Sequence, residues 1–272
     1  NLRLHIPPKN KEKYMLHSVY FSAKGTTRFY AEGVGRKIDS DIKEYNWLNP
    51  RNRKEIDIPK ENALLFSMPV YGGYIPQVCL PAVSGLHGHN TPAIVQAVYG
   101  NRHYDNCLIQ MKDLLEKQGF IVIAVGAFIA EHSIFTTVGT GRPDDNDKVA
   151  MLEFSQRCKE LLSKREAWSD KSLEVPGDKN YDSNTYRPVP FVPTGSDLCD
   201  ECGKCIKICP QKAISEDNPR ETDIEKCIRC GACIKICKTG SRNYHCEQFE
   251  AIRPKFEARC ATYKKPEIFT II

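Results

Sequence analysis

The chain lacks several things that would each have set its function class. No apolar run is long enough to act as a secretory segment or to cross a bilayer, so no membrane span is expected and the expected location is the cytoplasm. No Gly-x-Gly-x-x-Gly fingerprint is present, which weighs against a built-in nicotinamide site. No set of residues reads as a hydrolase triad. Histidine is missing from residues 199 to 237, where eight of the thirteen cysteines lie, and this weakens a zinc reading of that segment.

Those eight cysteines form two copies of one pattern. Cys199, Cys202, Cys205 and Cys209-Pro210 are followed 28 residues later by Cys227, Cys230, Cys233 and Cys237. Three thiolates at x2 spacing let one tight loop supply three corners of a [4Fe–4S] cube, and the fourth comes from elsewhere. In the bacterial arrangement the last cysteine of each run ligates the other cluster. One cluster is therefore assigned to Cys199, Cys202, Cys205 and Cys237, the second to Cys227, Cys230, Cys233 and Cys209. A disulfide framework would need an oxidising compartment, for which the chain shows no leader. The repeat predicts two half-domains related by a pseudo-twofold, joined by a small hairpin over residues 213–224. Gly203 and Gly231 let the backbone crowd the cluster and aim N–H groups at its sulfurs.

The residues ahead of the clusters read as α/β. Strands are expected at 17–22, 42–47, 63–70, 93–99 and 121–128. Helices are expected at 27–38, 106–118 and from about 146 to 168. In such sheets ligands sit beyond the carboxyl ends of the strands. The loop after the first strand, Ser22-Ala23-Lys24-Gly25-Thr26-Thr27, leads into a helix and suits a phosphate monoester, although a glycine turn with a hydroxyl cap is an equally ordinary explanation. Two further loops, one around Pro69, Tyr71, Gly72 and Gly73 and one around Tyr99, Gly100, Asn101, Tyr104 and Asp105, offer aromatics in glycine-rich turns suited to a planar ring.

Taken together these residues resemble flavodoxin. Ser22-x-Lys24-Gly25-x-Thr27 is similar to the phosphate loop of that family, with Lys24 where Thr is usual. Tyr20-Phe21-Ser22, Pro69-Val70-Tyr71-Gly72-Gly73-x-x-Pro76 and Lys265-Pro266-Glu267-x-Phe269 resemble the fused flavodoxin–ferredoxin proteins of anaerobes, the EFR1 family. The cysteine repeats resemble bacterial two-cluster ferredoxins, except that Lys238 replaces a second proline. The resemblance implies a flavodoxin-like doubly wound sheet of five parallel strands, order 2-1-3-4-5, followed by a small α+β ferredoxin-like domain. It implies FMN and two [4Fe–4S] clusters as cofactors. Ser22, Lys24, Gly25, Thr26 and Thr27 would hold the phosphate. Tyr71 would stack on the ring, the Gly72 and Gly73 amides would address its edge, Asp105 would accept a hydrogen bond, and Pro69, Tyr99, Gly100, Asn101 and Tyr104 would line the site.

The expected organisation is an expression remnant or extension at 1–14, an FMN domain at 15–168, an extended linker at 169–197, the cluster domain at 198–240, and a tail at 241–272 whose aromatics return to pack on the body. Cys79, Cys107 and Cys158 read as buried thiols and Cys246 beside His245 as an incidental pair. His87-Gly88-His89 reads as a solvated loop, and Trp47 as a residue at the flavin rim. The formal charge of +5 drops to about +1 once two oxidised clusters at roughly −2 each are counted, which argues against nucleic acid. The expected function is electron relay between the clusters, FMN and a redox partner protein such as a ferredoxin-linked oxidoreductase. The alternative is an FMN-dependent reductase acting on NAD(P)H or a small acceptor.

Overall fold

The structure, a computed structural model, describes residues 14–39, 41–168 and 170–271. All of the expected N-terminal extension except Tyr14 lies outside the described residues. In chain order the elements are β1 (Leu16–Tyr20), α1 (Thr26–Ile38), β2 (Ile42–Asn46), β3 (Ile56–Ile58), β4 (Ala63–Pro69), α2 (Leu80–Val83), β5 (Leu86–Gly88), β6 (Thr91–Tyr99), α3 (Cys107–Lys117), β7 (Phe120–Ile129), α4 (Asp145–Ser163), β8 (Thr194–Gly195), α5 (Lys204–Ile208), α6 (Ala232–Ile236), β9 (Arg242–Asn243), α7 (Glu247–Arg259) and β10 (Glu267–Thr270).

Five strands run parallel in the order β2-β1-β4-β6-β7, and β10 adds antiparallel to the free edge of β7. The sheet therefore has six strands rather than five, because the tail supplies one. β4 and β6 are buried almost throughout, as their largely apolar composition requires of strands covered on both faces. On one face Tyr30, Val34 and Ile38 of α1 and Met151, Phe154 and Cys158 of α4 cover Leu65, Ile94 and Phe128. On the other, Leu108, Met111 and Leu115 of α3 cover Val95 and Val122. The Asp144 and Asp147 carboxylates form a capping box that starts α4.

Three local expectations are corrected. Trp47 is fully buried, edge-on to Phe66 in the core, because the end of β2 turns inward; it forms no flavin rim. His87-Gly88 belongs to a strand, β5, paired with β3, and His89 Nε2 meets Asp57 Oδ1 at 2.7 Å. The last long helix ends at Ser163, after which a turn brings Trp168 Nε1 back to the Leu161 carbonyl at 2.8 Å.

The linker is fastened to the sheet. Leu173 enters the core, the Tyr74 hydroxyl donates to the Asp182 carbonyl at 3.1 Å, and Phe191 joins an aromatic cluster with Phe135, Tyr244, Phe249 and Phe256. That cluster ties α7 to the loop after β7, Phe256 lying 4.4 Å from Phe135 between ring centroids. The expected hairpin is reduced to one antiparallel bridge, Ile214 to Thr222. Among the described residues no helix is long and apolar enough to cross a membrane.

Candidate cofactor site

The two cysteine repeats take the same local shape. In each, the residue two after the first cysteine has a positive φ (Glu201 at 54°, Arg229 at 55°), and the glycine after the second cysteine is left-handed (Gly203 at 66°, Gly231 at 75°). A short helix, α5 or α6, then carries the third cysteine, and the fourth caps its end in an extended conformation. The helices pack on each other, with Cys205, Ile214 and Cys233 buried between them. The two cysteine runs thus repeat one local conformation.

Cys209, Cys227, Cys230 and Cys233 together line one cavity, shared with Pro193, Ile214, Thr222 and Arg242. The last cysteine of the first run thus faces the three of the second. No group of three His, Cys, Asp or Glu among the described residues closes on a single ion. A four-iron cube instead needs sulfurs spread around a hollow. Backbone N–H groups point at sulfur from Ala213 to Cys209 at 3.3 Å, from Arg229 to Cys227 at 3.4 Å and from Arg242 to Cys237 at 3.4 Å. Two buried donors beside these cysteines, the Tyr244 hydroxyl and Arg242 Nε, have no protein acceptor. Cluster sulfurs are acceptors of the right kind, so the residues present fit the group.

Burial pushes the Cys233 thiol up to about 11, while the Arg242 guanidinium pulls it down; burial raises Cys227 and Cys230 as well. Loading a cluster must therefore displace protons from these thiols. The first set is more open. Cys202 is exposed and Cys199 and Cys237 are half-buried, whereas Cys230 and Cys233 are buried.

The cluster segment packs directly on the loop expected to hold phosphate. Cys230 and Ala232 belong to the same apolar cluster as Phe21 and Val19, and Tyr71 and Ala23 pack against it. Gly231 faces the Lys24 side chain, and Lys235 Nζ lies 3.9 Å from where a Cβ on Gly25 would stand. Gly25 is left-handed, with φ of 96°, and α1 begins there with no side-chain cap and no acid in its first turn. Ser22 Oγ accepts the Arg28 N–H at 3.0 Å, Thr27 is buried, and Lys24 Nζ stands 3.7 Å from Glu131. Burial lowers the Lys24 pKa and Glu131 opposes that. A turn with free amides and cationic side chains fits an anion.

The ring-binding candidates fall differently. Tyr71 is half-buried, edge-on to Phe21 at 6.3 Å, with burial and then the nearby Cys230 raising its pKa. Tyr186 of the linker covers Gly72, leaving no room there for a Cβ, and Asp105 stands 2.6 Å from the Cβ position of Gly73. The Asp105 carboxylate is paired with Arg102. Asn101 Nδ2 donates to the Cys260 and Thr262 carbonyls at 2.8 and 3.0 Å, and the Tyr104 hydroxyl donates to Glu267 at 2.9 Å. Tyr99 is buried edge-on to Tyr104. In this loop Asn101 Nδ2 and the Tyr104 hydroxyl thus bond the tail and Asp105 pairs with Arg102, while Asn101 Oδ1 is buried with no donor to it among the described residues. Pro69 ends β4 and Gly100 lies under His132.

Residues 194–238 match the family described as a 4Fe-4S dicluster domain. No curated protein matches the chain. Among solved structures, a metal-soaked flavodiiron core, Flv1, from Synechocystis sp. PCC6803 is 16% identical with a TM-score of 0.39, over 56% of this chain and 36% of that one. A flavodoxin from Streptococcus pneumonia TIGR4 is 14% identical with a TM-score of 0.37, over 52% of this chain and 95% of its own.

Tyr186, Tyr244, Arg242 and Lys235 were not singled out from the sequence as site residues. Lys235 sits inside the second repeat at the position matching Lys207, whereas Tyr186, Tyr244 and Arg242 are isolated side chains whose places are set by long-range packing.

His132, beside Gly100, gives a pH test. Its Nδ1 accepts the Ile134 and Phe135 N–H groups, both at 3.1 Å. Burial, then Arg102 and Lys24, hold its pKa down to about 4. The unfolded value is about 6.5, so the unfolded chain takes up the proton first. The stability present above pH 6.5 is lost as pH falls towards 4, at about 1.4 kcal/mol per unit and about 3 kcal/mol at most. Urea unfolding at pH 7 and 4.5 should show this loss in the wild type and not in His132→Asn, whose side-chain oxygen can still accept the backbone bonds. Equal losses in both proteins would refute it.

Proposed function

We propose that the chain is a cytoplasmic electron-transfer protein carrying FMN and two [4Fe–4S] clusters, which relays electrons to or from a redox partner protein. The reading rests on one observation: the cavity lined by Cys209, Cys227, Cys230 and Cys233 lies in the segment packed on the Ser22–Thr27 turn. When bound, the clusters supply one-electron steps and the flavin joins these to two-electron chemistry.

The residues divide the work. The exposed Cys202 end offers a surface at which a partner can exchange electrons, and the surrounding lysines, Lys204, Lys207 and Lys238, favour an acidic partner. The buried Cys230 end faces the flavin loops, where apolar packing excludes water. Ser22, Lys24, Gly25, Thr26 and Thr27 bind the phosphate, Tyr71 lies between the loops and Cys230, and Tyr186 covers the Gly72 turn. The domain fusion agrees with the flavodoxin–ferredoxin resemblance of the sequence.

The test is anaerobic purification with analysis of flavin, iron and sulfide, followed by reduction. A ferredoxin-linked protein donor should bleach the flavin and cluster absorbance, and NADH or NADPH alone should not. Rapid bleaching by a nicotinamide alone would make the chain a reductase with its own nicotinamide dock, and absence of flavin would remove the FMN assignment.

A further inference from the structure

Arg242 is 1% exposed, and among the described residues no carboxylate pairs with it. Its Nη1 donates to the Pro219 and Arg220 carbonyls at 2.7 and 3.2 Å, and its Nη2 to the Pro193 carbonyl at 2.7 Å and to the Thr222 hydroxyl. Its Nε has no acceptor. Guanidinium is always charged, and a cation without a counter-ion is costly to bury. Two segments, at 193 and at 219–222, are nevertheless arranged to clamp it.

The cysteine cavity stands on its other side. Arg242 lines the cavity with Cys209, Cys227, Cys230 and Cys233, while its own N–H points at Cys237, a ligand of the other set. Cys205 and Cys233 share one buried cluster at the seam between the two halves, and Arg242 lines the cavity on the Cys233 side of it.

We infer that Arg242 is a fixed counter-charge shared by the two clusters, which stabilises their reduced states and raises both reduction potentials. Each cluster gains one negative charge when it takes up an electron from a donor, and a buried cation beside it favours that gain. The clamp of carbonyls and Thr222 is the positioning device: it prevents the side chain from swinging to solvent when the charge changes. The effect should be larger for the cluster held by Cys233 than for the one held by Cys205, because the cavity lining includes Arg242 itself.

This rests on the proposal that the cysteines hold two clusters, and iron and sulfide analysis of the wild-type protein tests that separately. With clusters present, redox titration followed by electron paramagnetic resonance should compare the wild type with Arg242→Gln, Arg242→Met and Arg242→Lys. At fixed potential the neutral variants should lose at least about tenfold in the reduced-to-oxidised ratio of the Cys233 cluster, a downward shift of about 59 mV for one electron. Arg242→Lys should retain most of the wild-type potential. Unchanged potentials in loaded neutral variants, or equal shifts in all three, would overturn the inference. If the neutral variants fail to load, loading in Arg242→Lys alone still supports a requirement for charge. Failure of all three would reduce Arg242 to a structural clamp.

Discussion

Cys209→Ser should abolish the cluster beside Cys230 and leave the one beside Cys202 in place. Cys209 belongs by sequence to the first run, yet it lines the cavity with Cys227, Cys230 and Cys233. Loss of one thiolate from a set of four removes the cube, so iron and sulfide should fall by about half. The decisive readout is the pattern of residual spectra. Cys209→Ser should match Cys230→Ser, and Cys237→Ser should match Cys202→Ser. If Cys209→Ser instead matches Cys202→Ser, the ligand sets are serial and the interlaced assignment fails.

The second large effect concerns a buried ion pair at the start of α4. Asp147 is fully buried, and its carboxylate holds Arg142, itself only 5% exposed at the side chain. Arg142 also donates to the Lys264 carbonyl at 3.0 Å and stacks over Tyr263 at 4.2 Å, so this pair joins the start of α4 to the tail. Asp147→Ala leaves the guanidinium buried without its partner and opens the capping box. The cost expected for breaking such a pair is about 3–5 kcal/mol. In a chain of this size the thermal midpoint should fall by on the order of 10 °C. Limited proteolysis should then cut first near residue 264. Asp147→Leu combined with Arg142→Met should recover much of the loss, because the cost comes from the orphaned charge. A single variant as stable as the wild type would show that the pair contributes nothing.

The parts legible in the sequence were those governed by local spacing. The cysteine repeat defined both ligand runs, and the apolar, β-branched stretches defined the parallel strands to within a few residues. Gly25, Gly203 and Gly231 stood where the backbone turns left-handed. Other parts depended on partners far along the chain. Glu267–Thr270 is too short and too ordinary to announce itself as a strand until the exposed edge of β7 is there to pair with. Asn101 and Tyr104 follow a strand, and nothing local said that the tail would reach back to bond them. Trp47 carried the same ambiguity, resolved by Phe66 across the core. Arg242 lies five residues past Cys237, the last cysteine of the second run, with no pattern around it, and only the folded cavity brings it beside the other cysteines.

The antiparallel strand β10 also alters how the two redox units are joined. The chain leaves the sheet after α4, passes through both cysteine runs, and comes back to hydrogen-bond with β7. The cluster unit is thus an insertion, spliced between the fifth and sixth strands of its host and anchored at both ends. A single nick in the linker would leave it stapled to the sheet through β10, so separating the two centres requires a second break or the melting of an edge strand.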